Sequence, residues 1–523
     1  MSATTTDVLI IGGGMAAAWA AIAAAEAGAK VVVVDKGAMG TSGVTATGGP
    51  GHWWVPPDPA LRREAIARQT AKAAGLGDPA WMERIIELTW RHLPTIAPWY
   101  PFGSDGQGGR FINGVRGPEY LRALRAFAAA RGAEIRDHHP ALELMADPDG
   151  RVIGARGVSL RDEQPWAVRA GAVVLATGGA AFRSGLIGSH GCTGDGHLMA
   201  AEAGARLSGM EFSIAYSLSP SWASTRTLPY TGARFYDADG HELDIAPPRA
   251  GHAHYQTLGA AMLAGPVFAD LIDAPRELPG VLRRIQPLTA ATFARRGIDL
   301  FRDRFPVRLF GEGTLRGTGG IDLDDADCRT GVPGLFAAGD AATRERVAGA
   351  SSGGGAVNSA WALSSGRIAG AAAAGEAVGA RRNAPARALG QAGLHPGDTV
   401  RDIDGADMIR RTGASIHDYD KAFWRREETL SASAAALEAD WRAIADHGHA
   451  TGRAAVELRS TAAIVATARW VVASARARRE TRGLHYRDDA READPAQAHR
   501  LLSGGLDDVW VRPLTDAKEE IAA

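Results

Sequence analysis

The segment Asp7–Asp35, DVLIIGGGMAAAWAAIAAAEAGAKVVVVD, constrains this chain more than any other. Asp7–Ile11 is a short apolar, β-branched run of the kind that forms a buried parallel strand. Gly12, Gly14 and Ala17 then set a G-x-G-x-x-A spacing that opens an Ala-rich helix, predicted over Met15–Ala25 and closed by Gly28. A second buried strand, Lys30–Val34, ends on Asp35. Strand, glycine turn, helix, strand and acid in that order make a dinucleotide-binding βαβ unit. Gly12 permits the tight turn, Gly14 lets backbone N–H groups meet a pyrophosphate, and Ala17 keeps the helix close to the sheet. The helix N-terminus offers unpaired donors and a positive dipole end to phosphate. Asp35 can accept a hydrogen bond from a ribose hydroxyl.

With 523 residues the chain can bury a large core, and two to four structural units are expected. Two cysteines exclude a disulfide framework and an iron–sulfur cluster of its own. Lys and Arg total 58 against 59 Asp and Glu, which argues against nucleic acid or an anionic membrane as partner. Met1–Thr6 lacks the basic start of a secretory signal, and the apolar run Met15–Ala25 is too short to span a bilayer. The expectation is a cytoplasmic protein without a membrane span or a metal site. The 65 glycines gather in clusters at 12–14, 48–51, 178–179, 191–196, 317–320 and 353–355, each read as a close approach to a cofactor or its neighbour.

Further segments extend the dinucleotide reading. Gly40–Gly51, GTSGVTATGGPG, is too small and glycine-dense for a core element and suits a loop lying along a cofactor. Val173–Gly179 and Gly334–Ala342 are apolar runs ending in small residues, as strands do where ligands meet their carboxyl ends. Gly191–Gly196 opens a helix predicted over His197–Gly204, where Asp195 suits an N-cap as well as a ligand.

Together with CTGDGHLMAAEAGARLSGMEF (192–212), GTGGIDLDDADCRTGVPGLFAAGDA (317–341), Asn358-Ser359 and RRETRGLHYRDD (478–489), these segments resemble the flavoprotein subunits of succinate dehydrogenase and fumarate reductase, with L-aspartate oxidase and adenylylsulfate reductase. The resemblance covers most of the chain. It implies a Rossmann-like α/β FAD domain carrying an inserted α+β cap and followed by a C-terminal helical region. The implied domains are 1–210 and 306–400 for FAD, 211–305 for the cap and 415–523 for the helices. Cofactor contact is implied for Gly12, Gly14, Met15, Ala16, Ala17, Asp35, Lys36, Thr41, Ser42, Gly43, Thr47, Gly48 and Gly49. Farther along the chain it is implied for Ala176, Thr177, Gly178, Asp195, Gly339, Asp340, Asn358, Ser359 and Ala360. Some members of the family attach FAD through a histidine where Ser42 stands here, so non-covalent FAD is implied. The helix predicted from Ala360 would turn its N-terminus toward the reduced flavin.

The dicarboxylate site is where the chain departs from the family. Tyr216 stands in place of a histidine, Leu315-Arg316 in place of a His-Tyr pair, and Ala350–Gly355, ASSGGG, in place of a segment whose arginine binds a carboxylate. An arginine fork fits a carboxylate where serine does not. The departure argues against succinate, fumarate and aspartate. Arg344, Arg346, Tyr216, Arg234, Arg226 and His252 are the candidates for proton transfer or substrate binding, with Arg316, Ser352, Tyr230 and His254 beside them. The expected activity is hydride transfer between flavin and a small substrate under the cap. The alternatives are a subunit that feeds a separate iron–sulfur or ferredoxin-like protein, a homo-oligomer of either kind, and a lyase or isomerase without net redox.

Overall fold

The computed structural model describes residues 4–514 except 105–108, 113, 226–227, 249–250, 286, 381–383 and 396–398. The candidate Arg226 therefore lies outside the described residues.

Thr4–Ile11 and Val31–Asp35 pair in parallel, joined by the helix Met15–Glu26. The strand Glu134–Asp137 extends the sheet beyond Val31–Asp35, and Pro165–Leu175 lies on the other side of Thr4–Ile11, all in parallel. Leu335–Ala337 pairs with residues 173–175, so two runs that are far apart in sequence end at one edge of the glycine turn. Val152–Val158, Ala141–Ala146 and the short edge strand Arg387–Ala388 continue the sheet in antiparallel fashion.

The helix Gly354–Ala377 packs along Met15–Glu26. Gly366 and Gly370 make this crossing possible, because a Cβ on either would sit 2.5 Å or 2.2 Å from the carbonyl oxygens of Ala16 and Ala20. Other glycines read as cofactor contacts also serve packing. Added Cβ atoms at Gly317, Gly319 and Gly320 would strike the backbone at 209–213, 313 and 341–343.

The inserted region forms an antiparallel sheet in the order Tyr216–Pro220, Phe305–Gly311, Val267–Asp270, Arg234–Tyr236. Its second strand carries the cap past the boundary at 305 expected from sequence. The helices His252–Ala264, Leu278–Ile285 and Pro287–Ala294 accompany it. The C-terminal helices begin at Gly405, earlier than 415, and include Glu427–His447 and Gly452–Ala477. The terminal region is also not purely helical. Leu501–Gly504 pairs with Trp510–Pro513 and with Leu207–Ser208, tying the chain end to the FAD domain.

Among the described residues two large apolar cores result, beside three smaller clusters. One fills the FAD domain around Trp19, Phe127, Phe336 and Trp361. The other is shared by the cap and the C-terminal helices, through Leu258, Phe305, Phe423, Trp441 and Trp470. Tyr419 Oη donates to the carbonyl of Leu309 at 2.9 Å, and Gln256 Nε2 to that of Phe423 at 3.0 Å, so the cap is fastened to the helices. No described helix is long and apolar enough to cross a membrane.

Candidate active site

A cavity of about 440 Å³ opens at the carboxyl ends of the parallel strands. Gly13, Gly14, Met15 and Ala16 form its floor, Asp35 and Lys36 one side, Ala176–Gly178 the other, and Gly339 and Asp340 the inner end. Gly12 sits behind it at φ +126°, where a Cβ would lie 2.2 Å from the Ala176 carbonyl oxygen. That conformation is one glycine adopts readily. The helix Met15–Glu26 has no side-chain cap, so its first N–H groups are left to whatever fills the cavity.

A second cavity of about 110 Å³ adjoins the first and shares Met15, Val44, Thr45, Leu315, Asp340 and Ala362 with it. Gly48, Gly49, Asn358 and Ser359 line it, together with Arg316. Its far wall is the N-terminal turn of the helix Gly354–Ala377, whose dipole favours negative charge there. Both side-chain atoms of Asn358 that can hydrogen-bond are buried without a partner among the described residues. An amide left so in a cavity wall suits a ligand with donors and acceptors on one edge, as a flavin has.

The charges around the larger cavity are arranged in pairs. Lys36 Nζ donates to Asp195 Oδ2 at 2.7 Å, Thr193 Oγ1 at 2.9 Å and Ser460 Oγ at 3.2 Å. Burial alone would raise the Asp195 pKa, but the Lys36 charge and these hydrogen bonds hold it below the ordinary value. Asp35 accepts a hydrogen bond from Ser42 Oγ, and burial raises its pKa. Arg344 Nη1 donates to Asp340 Oδ1 at 2.6 Å. Its other terminal nitrogen donates to the carbonyls of Thr314, Leu315 and Gly317.

Of the residues expected to touch the cofactor, Gly14, Met15, Ala16, Asp35, Lys36, Ser42, Gly43, Ala176, Thr177, Gly178, Gly339, Asp340, Gly48, Gly49, Asn358 and Ser359 line one cavity or the other. Gly12, Ala17 and Ala360 are packed behind the walls. Thr41 is exposed, with Oγ1 on the Ala38 carbonyl, and Thr47 Oγ1 bonds the carbonyls of Val44 and Ile187. Asp195 follows Gly194 as the first residue of its helix, does not cap it and lines neither of these cavities; its carboxylate is held by Lys36 and Thr193.

The catalytic candidates need more correction. Arg344 is 1% exposed and spent on Asp340 and three carbonyls, so it braces the site from behind. Arg346 lines neither cavity, and its Nη2 reaches the Leu323 carbonyl. Tyr216 Oη donates to the His417 carbonyl at 2.9 Å in an aromatic cluster with Tyr419 and Phe423. Burial there pushes its pKa well above the ordinary value. Arg234 is exposed and paired with Asp273 on the outer edge of the cap. His252 stacks on Tyr486, and burial together with Arg425 drives its pKa down to about 2. His254 Nδ1 lies on the Ala246 carbonyl at 2.6 Å. Residues 453–460 carry no signal in the sequence that points to the site. Arg453, Val456, Glu457 and Ser460 of the helix Gly452–Ala477 wall the larger cavity, and only the fold brings them there.

Comparison with known proteins agrees with this geometry. The family described as FAD binding domain matches residues 7–100 and 86–357, and that described as fumarate reductase flavoprotein C-terminus matches 420–510. The chain therefore belongs to the FAD-binding flavoproteins of the succinate dehydrogenase and fumarate reductase family, and it is an FAD-dependent oxidoreductase. It is 29% identical to an L-aspartate oxidase of Mycobacterium leprae, over 96% of both chains. It is 27% identical to one chain of the fumarate reductase (CoM/CoB) of Methanothermobacter marburgensis, over 95% of this chain and 96% of the other. In fold it superposes on a chain of E. coli quinol fumarate reductase with a TM-score of 0.83 at 20% identity, covering 99% and 98% of the two chains. The adenylylsulfate reductase of Archaeoglobus fulgidus follows with 0.78 at 19% identity, covering 98% and 96%.

Proposed function

We propose that this oxidoreductase acts on a small organic acid held at the seam between the FAD domain and the cap, and that the acid is not succinate, fumarate or aspartate. The observation that carries this reading is the continuity of the two cavities, from the glycine turn to the partnerless Asn358 amide beside Ser359. Bound along them, FAD supplies a two-electron donor or acceptor next to the cap. The residues that would hold it are the N–H groups after Gly14, Asp35, the loop 42–49, Asp340 and the turn at Asn358–Ser359. The cap is fastened by the apolar core it shares with the C-terminal helices.

Against the dicarboxylates stands the segment 350–355, which has no arginine, while the arginines just before it are turned to other partners. A second reading, L-aspartate oxidation, is favoured by the relatives of that name that span nearly the whole chain. For the electron partner we propose a separate iron–sulfur or ferredoxin-like protein. Both cysteines of the chain are buried and neither is in a disulfide, which also suits a reducing cytoplasm. The domain division we propose keeps the FAD parts near 1–210 and 312–400, with the cap between them.

Anaerobic mixing decides between the two readings of substrate. The proposal expects L-aspartate and succinate to leave the yellow flavin unbleached while another small acid from a panel reduces it. Prompt bleaching by aspartate would establish the second reading, and either that or reoxidation of photoreduced protein by fumarate would end the first.

A further inference from the structure

Arg316 is the cationic side chain among the described residues lining the smaller cavity. It follows the short helix Gly313–Leu315, and its Nε lies 3.4 Å from Glu312 Oε2. Glu312 is fully buried, and its N–H is fixed on the Ala215 carbonyl at 2.8 Å. The guanidinium is thus braced along one edge, and its terminal nitrogens make no hydrogen bond to a described residue. The side chain keeps 27% of its surface exposed. Its loop is rigid from behind, because Arg344 binds the carbonyls of Thr314, Leu315 and Gly317, the residues on either side of it.

Arg316 also stands at the seam with the cap. Its charge and that of Glu312 both act on Tyr255, in the first turn of the cap helix His252–Ala264. Ser352 Oγ, in the loop leading into Gly355 of the cavity wall, is buried without a partner among the described residues. A braced planar fork whose terminal N–H groups have no partner among the described residues is the donor set for a planar oxoanion.

We propose that Arg316 is the residue that anchors the carboxylate of the substrate, with Glu312 as the positioning residue that presents the fork to the cavity. This deepens the reading above and rests on it. The assignment differs from a mere count of arginines, since Arg344, Arg346 and Arg234 are each committed to other partners.

The test is anion binding to the FAD-loaded protein, read by isothermal titration and by the visible difference spectrum of the flavin. Acetate, malonate and methanesulfonate are the probes. The wild type is expected to bind acetate or malonate more tightly than the tetrahedral sulfonate. Arg316→Gln should weaken the carboxylates by about 10- to 100-fold. Arg316→Lys should fall between, because an ammonium cannot offer the fork. Glu312→Gln should weaken them by several-fold without abolishing binding. Flavin content and melting temperature check that each variant is folded. Wild-type affinity in Arg316→Gln, absence of carboxylate binding in the wild type, or tighter binding of methanesulfonate would each overturn the proposal. Failure of the wider reading looks different: the purified chain would carry no flavin, or carry one that dithionite does not bleach.

Discussion

Arg344 and Asp340, four residues apart in the chain, form an ion pair of 2.6 Å, and the same guanidinium gathers the carbonyls of Thr314, Leu315 and Gly317. Asp340 faces both cavities, and residues 314–317 form the loop that carries Arg316. One buried cation therefore joins the cofactor wall to the wall on which a substrate would rest. Burial lowers the Arg344 pKa, while the Asp340 carboxylate opposes that shift.

Removing this cation should be costly. In Arg344→Ala a carboxylate and three carbonyls lose their donor in a dry setting, a loss of about 3–5 kcal/mol. Chemical denaturation should show that loss, and the flavin-to-protein ratio should fall with it. Arg344→Lys should recover part of both. Guanidinium at millimolar concentration, well below denaturing levels, should restore flavin binding in Arg344→Ala but leave the wild type unchanged. A variant with wild-type stability would mean that the pair contributes nothing.

Arg344 also marks the limit of what the sequence reveals. The N-terminal βαβ unit was legible because its turn, helix and acid are consecutive, and their spacing carries the geometry. The helices Glu427–His447 and Gly452–Ala477 are legible for a similar reason, since their apolar periodicity is local. An arginine between two flavin segments looks available in sequence, but its direction depends on carbonyls from residues 314–317. Ser460 reaches Lys36 only after more than four hundred residues have folded between them. The strand Leu501–Gly504 is too short to announce itself, and its partner Leu207–Ser208 is remote.

The glycine turn offers a sharper test of the FAD site. Gly12→Ala puts a methyl group 2.2 Å from the Ala176 carbonyl oxygen at a φ of +126°. Strain and overpacking together should cost about 3 kcal/mol. The visible flavin absorbance of the purified variant is expected to be largely lost, with a lowered melting temperature. Full flavin occupancy in this variant would show that the turn does not shape the cofactor site.

Ser42 bears on how the cofactor is held. Its Oγ donates to Asp35 on the wall of the larger cavity, and it offers no nucleophilic nitrogen to a flavin methyl group. Acid precipitation should therefore release yellow FAD into the supernatant and leave a colourless pellet. Flavin that stays with the precipitated chain would contradict this. In Ser42→Ala the Asp35 carboxylate loses a donor at a buried position, and FAD affinity should fall by about 10-fold.

The last prediction concerns acid. His197 is fully buried beside the backbone of Asp340 and Ala341, and burial brings its pKa down to about 4. His52 is buried next to the flavin loop, and burial lowers its pKa to about 3. In the unfolded chain both would titrate near the ordinary histidine value of about 6.5. Below that pH the unfolded state takes up protons that the folded state refuses, so stability must fall as pH falls. The contribution of His197 is complete above about pH 6.5, is withdrawn progressively down to about pH 4, and amounts to something on the order of 3 kcal/mol. Denaturant titrations between pH 4.5 and 6 should thus show stability declining with acid. In His197→Gln, which cannot titrate, that decline should be shallower by about 1.4 kcal/mol per pH unit, one proton's worth. An unchanged slope would mean that the folded protein protonates His197 in this range, and that the packing around Asp340 opens more readily than its buried ion pair implies.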